Sequence, residues 1–106
     1  MVKRGDIWLA ALDPTIGSEI QKTRPCVIVS PPEMHDYLRT VIVAPMTTGS
    51  KPAPYRVSVT FQRKKGVIML DQMRAIDKAR LVKKVGTTTE LSLTETLQTL
   101  QEVFTE

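Results

Sequence analysis

Tyr55-Arg56-Val57-Ser58-Val59-Thr60-Phe61 alternates apolar and polar side chains along its whole length. A period of two puts Tyr55, Val57, Val59 and Phe61 on one face and Arg56, Ser58 and Thr60 on the other, as in a half-exposed antiparallel strand. The following Gln62-Arg63-Lys64-Lys65-Gly66 has hairpin-loop composition, so residues 67–70 should return beside that strand before the chain runs into residues 71–76. On the N-terminal side, residues 47–54 (TTGSKPAP) read as a loop, preceded by the β-branched run of residues 40–46 (TVIVAPM). Residues 25–30 (PCVIVS) repeat that run, with Pro25 tolerated at a first strand position and Pro31-Pro32 as its stop. Residues 7–12 read as the first strand, ended by Asp13-Pro14, and residues 15–23 as a polar, glycine-containing loop. Beyond the hairpin, residues 78–85 fit another short strand.

The period changes near the C-terminus. Leu93, Leu97, Leu100 and Phe104 follow helical spacing and mark one apolar stripe, while Ser92-x-x-Glu95 fits a capping box that starts the helix at Ser92. Five to seven short, mostly antiparallel strands and one packed helix favour a small antiparallel β-barrel, and the length of 106 residues suits a single domain over residues 1–106. Aromatic residues make up only 5%, so aliphatic side chains must fill the core. No window approaches the roughly 18 apolar residues of a membrane span, and no apolar signal region follows Met1, so a cytoplasmic protein without membrane contact is expected.

Charge is distributed unevenly. Residues 1–85 hold all 15 Lys and Arg against seven acids, a balance of +8, whereas residues 86–106 hold four acids and no base. Such a body attracts a polyanion, for which a phosphate backbone is the usual candidate, and the same surface suits an acidic protein segment. The sole cysteine, Cys26, lies in an apolar run and is expected to be a buried small hydrophobe. His35, the only histidine, lies in Glu33-Met34-His35-Asp36, whose composition suits a solvated turn. With a single histidine and no partner thiol, neither metal nor cofactor is expected, and a histidine-based nucleophile system is disfavoured.

What remains is three polar clusters at strand ends. Gly17-Ser18-Glu19 through Arg24 offers a hydroxyl, a carboxylate and a guanidinium beside Pro25; Thr47-Thr48-Gly49-Ser50-Lys51 offers three hydroxyls and an ammonium; Asp71-Gln72 follows residues 67–70. The first two suit phosphate, because arginine presents a planar donor fork while hydroxyls and loop amides donate to the remaining oxygens. Each also has a bland reading, as surface cation, turn threonine or strand-ending aspartate.

These clusters carry a family resemblance. Gly5-Asp6-Ile7-Trp8, Asp13-Pro14-Thr15-x-Gly17-Ser18-Glu19, and Arg24-Pro25 leading into Val27-Ile28-Val29-Ser30-Pro31 look like the opening of the MazF/PemK/Kid toxins. Ala44-Pro45-Met46-Thr47-Thr48-x-Ser50-Lys51, Val67-x-x-x-Asp71-Gln72 and Asp77-Lys78-Ala79-Arg80 continue the likeness in order, so that it spans nearly the whole chain. The resemblance implies a small SH3-like β-barrel with a C-terminal helix, a homodimer, and the toxin role in a type II toxin-antitoxin system, inhibited by an acidic MazE-like antitoxin. It further implies metal-independent, sequence-selective cleavage of single-stranded RNA, leaving a 2′,3′-cyclic phosphate and a 5′-hydroxyl.

Residue by residue, Arg24 and Thr47 match the family's principal catalytic positions, and Glu19 is the candidate base or base-orienting group. Gly17, Ser18, Gln21, Thr48, Lys51, Asp71, Gln72 and Arg80 are candidate RNA contacts. The PemK/Kid branch is understood to use an arginine two residues before the aspartate that matches Asp71; Met69 stands there, which sides with the MazF branch. Two other readings stand beside this one: a gyrase poison of the CcdB type and a catalytically silent RNA-binding barrel. The first is expected to finish in Trp-Gly-Ile, whereas this sequence finishes Val103-Phe104-Thr105-Glu106. The second is countered by Arg24 and Thr47 together.

Overall fold

The computed structural model describes residues 2–19, 22–49 and 53–106. Among these residues seven strands precede a terminal helix: β1 (Asp6–Ala11), β2 (Thr23–Ile28), β3 (Thr40–Thr48), β4 (Arg56–Phe61), β5 (Lys64–Met69), β6 (Arg74–Asp77) and β7 (Leu81–Thr87), with α1 (Pro32–Tyr37) before β3 and α2 (Glu90–Val103) last. Two single 3-10 turns, Leu70–Gln72 and Lys78–Arg80, flank β6. The strands form one sheet in the order β4-β5-β3-β2-β1-β7, and β6 also lies beside β3. All its pairings are antiparallel.

β3 is the element the rest is built around. Its first half pairs with β6 (Thr40↔Asp77 to Val43↔Arg74) and its last three residues with β5 (Met46↔Ile68 to Thr48↔Gly66). The two registers differ by the three residues of Leu70–Gln72, so β5 and β6 act as one antiparallel partner interrupted by a turn that pushes Asp71 and Gln72 outward. Thr47 and Thr48, expected in a loop, are strand residues because β5 continues the ladder past Met46. The other strands keep their expected places within a few residues; β2 starts at Thr23, ahead of Pro25, and residues 78–80 are the second turn rather than strand.

The barrel is open. Among the described residues the ladder ends at β4 and β7, and these edges meet through side chains: the Phe61 ring lies against Gly86, where an added Cβ would stand 3.0 Å from it. Two aliphatic clusters fill the two faces of the sheet. One gathers Ile7, Val27, Val29, Ala44, Met46, Val57, Ile68 and Leu70, with Phe61 and Leu100 packed against it. The other gathers Ala10, Leu12, Cys26, Ile28, Val41, Val43 and Ile76. Alternate residues of β2 therefore reach different clusters, which explains why residues 26–29 are apolar without a break.

The helix start corrects the capping-box expectation. α2 begins at Glu90, and its cap is Thr89, whose Oγ1 accepts from Ser92 N at 3.1 Å. Ser92 lies inside the first turn. Leu93, Leu97 and Leu100 are half-buried, Thr96 is fully buried, and Phe104 is 72% exposed, so the apolar stripe stops before the helix end. Thr89→Ala is expected to lower unfolding free energy by about 1 kcal/mol, and Ser92→Ala by clearly less, in denaturant titrations. The reverse order would restore Ser92 as the cap.

Candidate active site

Two prolines create the site. The β2–β3 ladder runs from Ile28↔Val43 to Cys26↔Pro45 and ends there, since neither Pro45 nor the following partner Pro25 has an N–H to donate. Beyond that pair the strands part: β2 stays on β1 (Ala10↔Arg24), while β3 turns to β5 (Thr47↔Val67). Arg24 and Thr47 stand two positions past the last pair, one on each arm of this fork.

The fork encloses a cavity of about 210 Å³ lined by both residues, together with Pro25, Met46 and Thr48. Its remaining walls are Val59, Phe61, Gln62, Lys64, Gly66 and Val67 from the β4–β5 hairpin. The apolar floor of Val59, Phe61 and Pro25 contrasts with the cations Arg24 and Lys64, and among the described residues no carboxylate lines the cavity. Such a space attracts an anionic group that has an apolar portion attached. Thr47 Oγ1 lies 3.4 Å from Thr48 O, at the open rim.

The residues of the other clusters gather elsewhere. Ser18, Glu19, Asp71 and Gln72 line a second cavity with Leu12, Pro45, Met73 and Arg74. Pro45 lines this cavity and Met46 the first, so the two share the β3 backbone as a common wall. The loop is pinned by its own chemistry: Glu19 Oε1 accepts from Ile16 N at 2.8 Å, and Gln72 Nε2 donates to Ser18 O at 3.3 Å. Arg74 Nη1 donates to Leu12 O at 3.1 Å. Gly17 adopts φ +62 with open space around it, a conformation in which a side chain is strained. Glu19 is thus separated from Arg24 and Thr47 by β3 within one chain.

Asp71 has an arginine partner despite Met69. Arg56, directly opposite Met69 in the β4–β5 register, places Nε and Nη2 each 3.1 Å from the two Asp71 oxygens. This bidentate pair joins residues 15 positions apart, and no local sequence signal announces it. Arg80, expected at RNA, directs Nη1 to Ala11 O and Asp13 O, where it ties the second 3-10 turn to the end of β1. Thr48 joins the first cavity, while Gln21 and Lys51 lie outside the described residues.

Two expected bystanders are placed firmly. Cys26 is fully buried, and burial pushes its thiol up to about 12, which removes it as a nucleophile at neutral pH. His35 is not in a solvated turn: it sits in α1, 5% exposed, with Nε2 2.6 Å from Ser30 Oγ and Nδ1 3.2 Å from Val2 O. Ser30 Oγ also accepts from Ile42 N at 2.9 Å, so the pair anchors α1 to the sheet. The sequence reading missed the hairpin residues Phe61, Gln62, Lys64 and Gly66. Their only sequence signal was consecutive lysines at a hairpin, which does not say what the hairpin faces.

Residues 3–104 match the model of one protein family, described as PemK-like, MazF-like toxin of type II toxin-antitoxin system. The chain is 39% identical over 110 residues to an endoribonuclease PemK of Escherichia coli, covering 98% of this chain and 83% of the relative. It is also 39% identical over 101 residues to an endoribonuclease MazF of Staphylococcus epidermidis, covering 90% and 84%. In fold it matches an endoribonuclease from a mycobacterial species, solved in complex with its cognate antitoxin, with a TM-score of 0.80 at 18% identity, covering 96% of this chain and 93% of that one.

Proposed function

The chain belongs to the PemK-like, MazF-like toxins of type II toxin-antitoxin systems, and from that premise we propose that it is an endoribonuclease that cuts single-stranded RNA sequence-selectively and without a metal. The observation that carries this reading is the fork: a guanidinium and a threonine hydroxyl on its two arms, lining one cavity that holds no carboxylate among the described residues. In the proposed reaction the ribose 2′-oxygen attacks the adjacent phosphorus, the bond to the 5′-oxygen breaks, and a 2′,3′-cyclic phosphate and a 5′-hydroxyl result. Arg24 stabilises the charge that develops on the phosphorane, and Thr47 donates to a nonbridging oxygen. The 2′-oxygen gives up its proton to water at the open fork, and the departing 5′-oxygen takes one from the same solvent. The RNA spans both cavities; because β3 separates them, Glu19 of the same chain stands away from the 2′-oxygen at the fork and instead orders the loop that lines the second cavity. Ser18, Asp71 and Gln72 then contact bases in the second one.

The proposed biological unit is a cytoplasmic homodimer of chains in which residues 1–106 form one domain, inhibited by an acidic antitoxin that competes with RNA for the basic surface. Among the described residues no helix is long and apolar enough to cross a membrane.

Purified protein is expected to cut a long single-stranded RNA in excess chelator, releasing 5′-hydroxyl ends whose sequencing reports the chemistry and the recognised bases. The matching DNA should stay intact, because it lacks the 2′-nucleophile. Cleavage of both polymers alike, or of neither, would remove the proposal.

A further inference from the structure

Building on the ribonuclease reading, we infer that Lys64 is a second phosphate-binding residue of the RNA groove, holding the phosphate next to the one bound at Arg24 and Thr47. The hairpin geometry leads to it. Gln62 and Arg63 both have positive φ (50 and 64), and Phe61 pairs with Lys64, so the connection is a tight two-residue turn and not a floppy loop. Strand alternation resumes at once, which sends consecutive lysines to opposite faces. Lys64 joins Val59 and Phe61 on the face that lines the fork cavity with Arg24, Thr47 and Thr48. Lys65 joins Ser58 and Thr60 on the face of a separate cleft toward Thr89 and Ser92.

The chemistry fits a strand of RNA laid across the cavity. Arg24 and Lys64 supply two cations around an apolar floor, which matches two phosphates around the sugar and base between them. Lysine is a compact point charge on a flexible stem, suited to a phosphate that must be held but not reshaped, whereas the fixed fork of Arg24 suits the reacting one. Lys64 therefore contributes equally to substrate and transition state.

The test compares Lys64→Met with Lys65→Met, each of which keeps the methylene stem and removes one exposed ammonium. Cleavage of an RNA oligonucleotide is followed at several salt concentrations, with thermal melting to show that both variants fold. Lys64→Met is expected to raise KM roughly fivefold with little change in kcat, and to flatten the log–log salt dependence by about 0.7, the value for one phosphate on a single strand. Lys65→Met should leave KM and the salt slope as they were. Equal effects from the two variants would overturn the inference in favour of general attraction. No effect from Lys64→Met, or a fall in kcat with KM unchanged, would also overturn it. An unmodified protein that leaves RNA uncut would defeat the ribonuclease reading instead, so the two failures are distinguishable.

Discussion

Arg24→Ala is expected to slow RNA cleavage by about a hundredfold or more while leaving the unfolding transition near its native midpoint. The loss corresponds to about 3 kcal/mol of transition-state stabilisation, typical of removing one positioned donor from a developing oxyanion. The fold should survive because the side chain is half-buried at a strand end, past the last β2–β3 pair, and belongs to neither aliphatic cluster. Arg24→Lys separates charge from geometry: an ammonium keeps the attraction but cannot donate through a planar fork, so most of the loss should remain. Thr47→Ala should fall in the same range, and Thr47→Ser should recover most activity, since only the hydroxyl is required. Single-turnover rates at saturating RNA, read beside circular dichroism melts, check these outcomes. Near-native rates in both alanine variants would leave the fork without a catalytic role.

Gly66→Ala should be the other severe substitution, and for a reason that lies in the backbone. A Cβ at Gly66 would stand 2.4 Å from the carbonyl oxygen of Thr47 and 3.2 Å from its carbon. Neither atom belongs to a flexible side chain that could swing aside. β5 cannot slide away either, because Gly66 is held between Thr48 on β3 and Val59 on β4. The ladder must open where Thr47 stands. Overpacking of this kind costs about 1–3 kcal/mol. Glycine-to-alanine changes at unstrained positions instead stabilise by about 0.4–1 kcal/mol, so the sign of the effect is informative. Denaturant titration should show the loss of stability, and cleavage measured well below the midpoint should fall further than the unfolded fraction explains. A variant as stable and as active as the native protein would mean that the two strands approach less closely than described.

Specificity is the property these two changes leave open to measurement. The fork cavity holds the reacting phosphate in the proposed reaction, while Ser18, Asp71 and Gln72 line the second cavity. The Arg56–Asp71 pair fixes the carboxylate from the β4 side, so the donors and acceptors on this cavity's wall depend on a strand that contributes nothing to the first loop cluster.

Much of this protein was legible from local pattern. Alternation in residues 55–61, the apolar run from Cys26, the stop at Pro31-Pro32 and the helical spacing of Leu93, Leu97 and Leu100 all act within a few residues, where backbone geometry and side-chain period dictate the element. The chemistry-bearing clusters were visible for the same reason, as polar residues interrupting apolar runs. What the chain alone could not decide is which clusters meet. Tertiary register parts β2 from β3 past two prolines, brings Lys64 and Gly66 to Thr47, carries Arg56 to Asp71, and sets Glu19 behind β3. His35 shows the same limit: its neighbours in sequence are polar, yet Ser30 and the Val2 carbonyl receive it in a buried pocket. Those outcomes depend on pairing between distant strands, where a shift of one residue sends every side chain to the other face, and no short window of sequence contains that information.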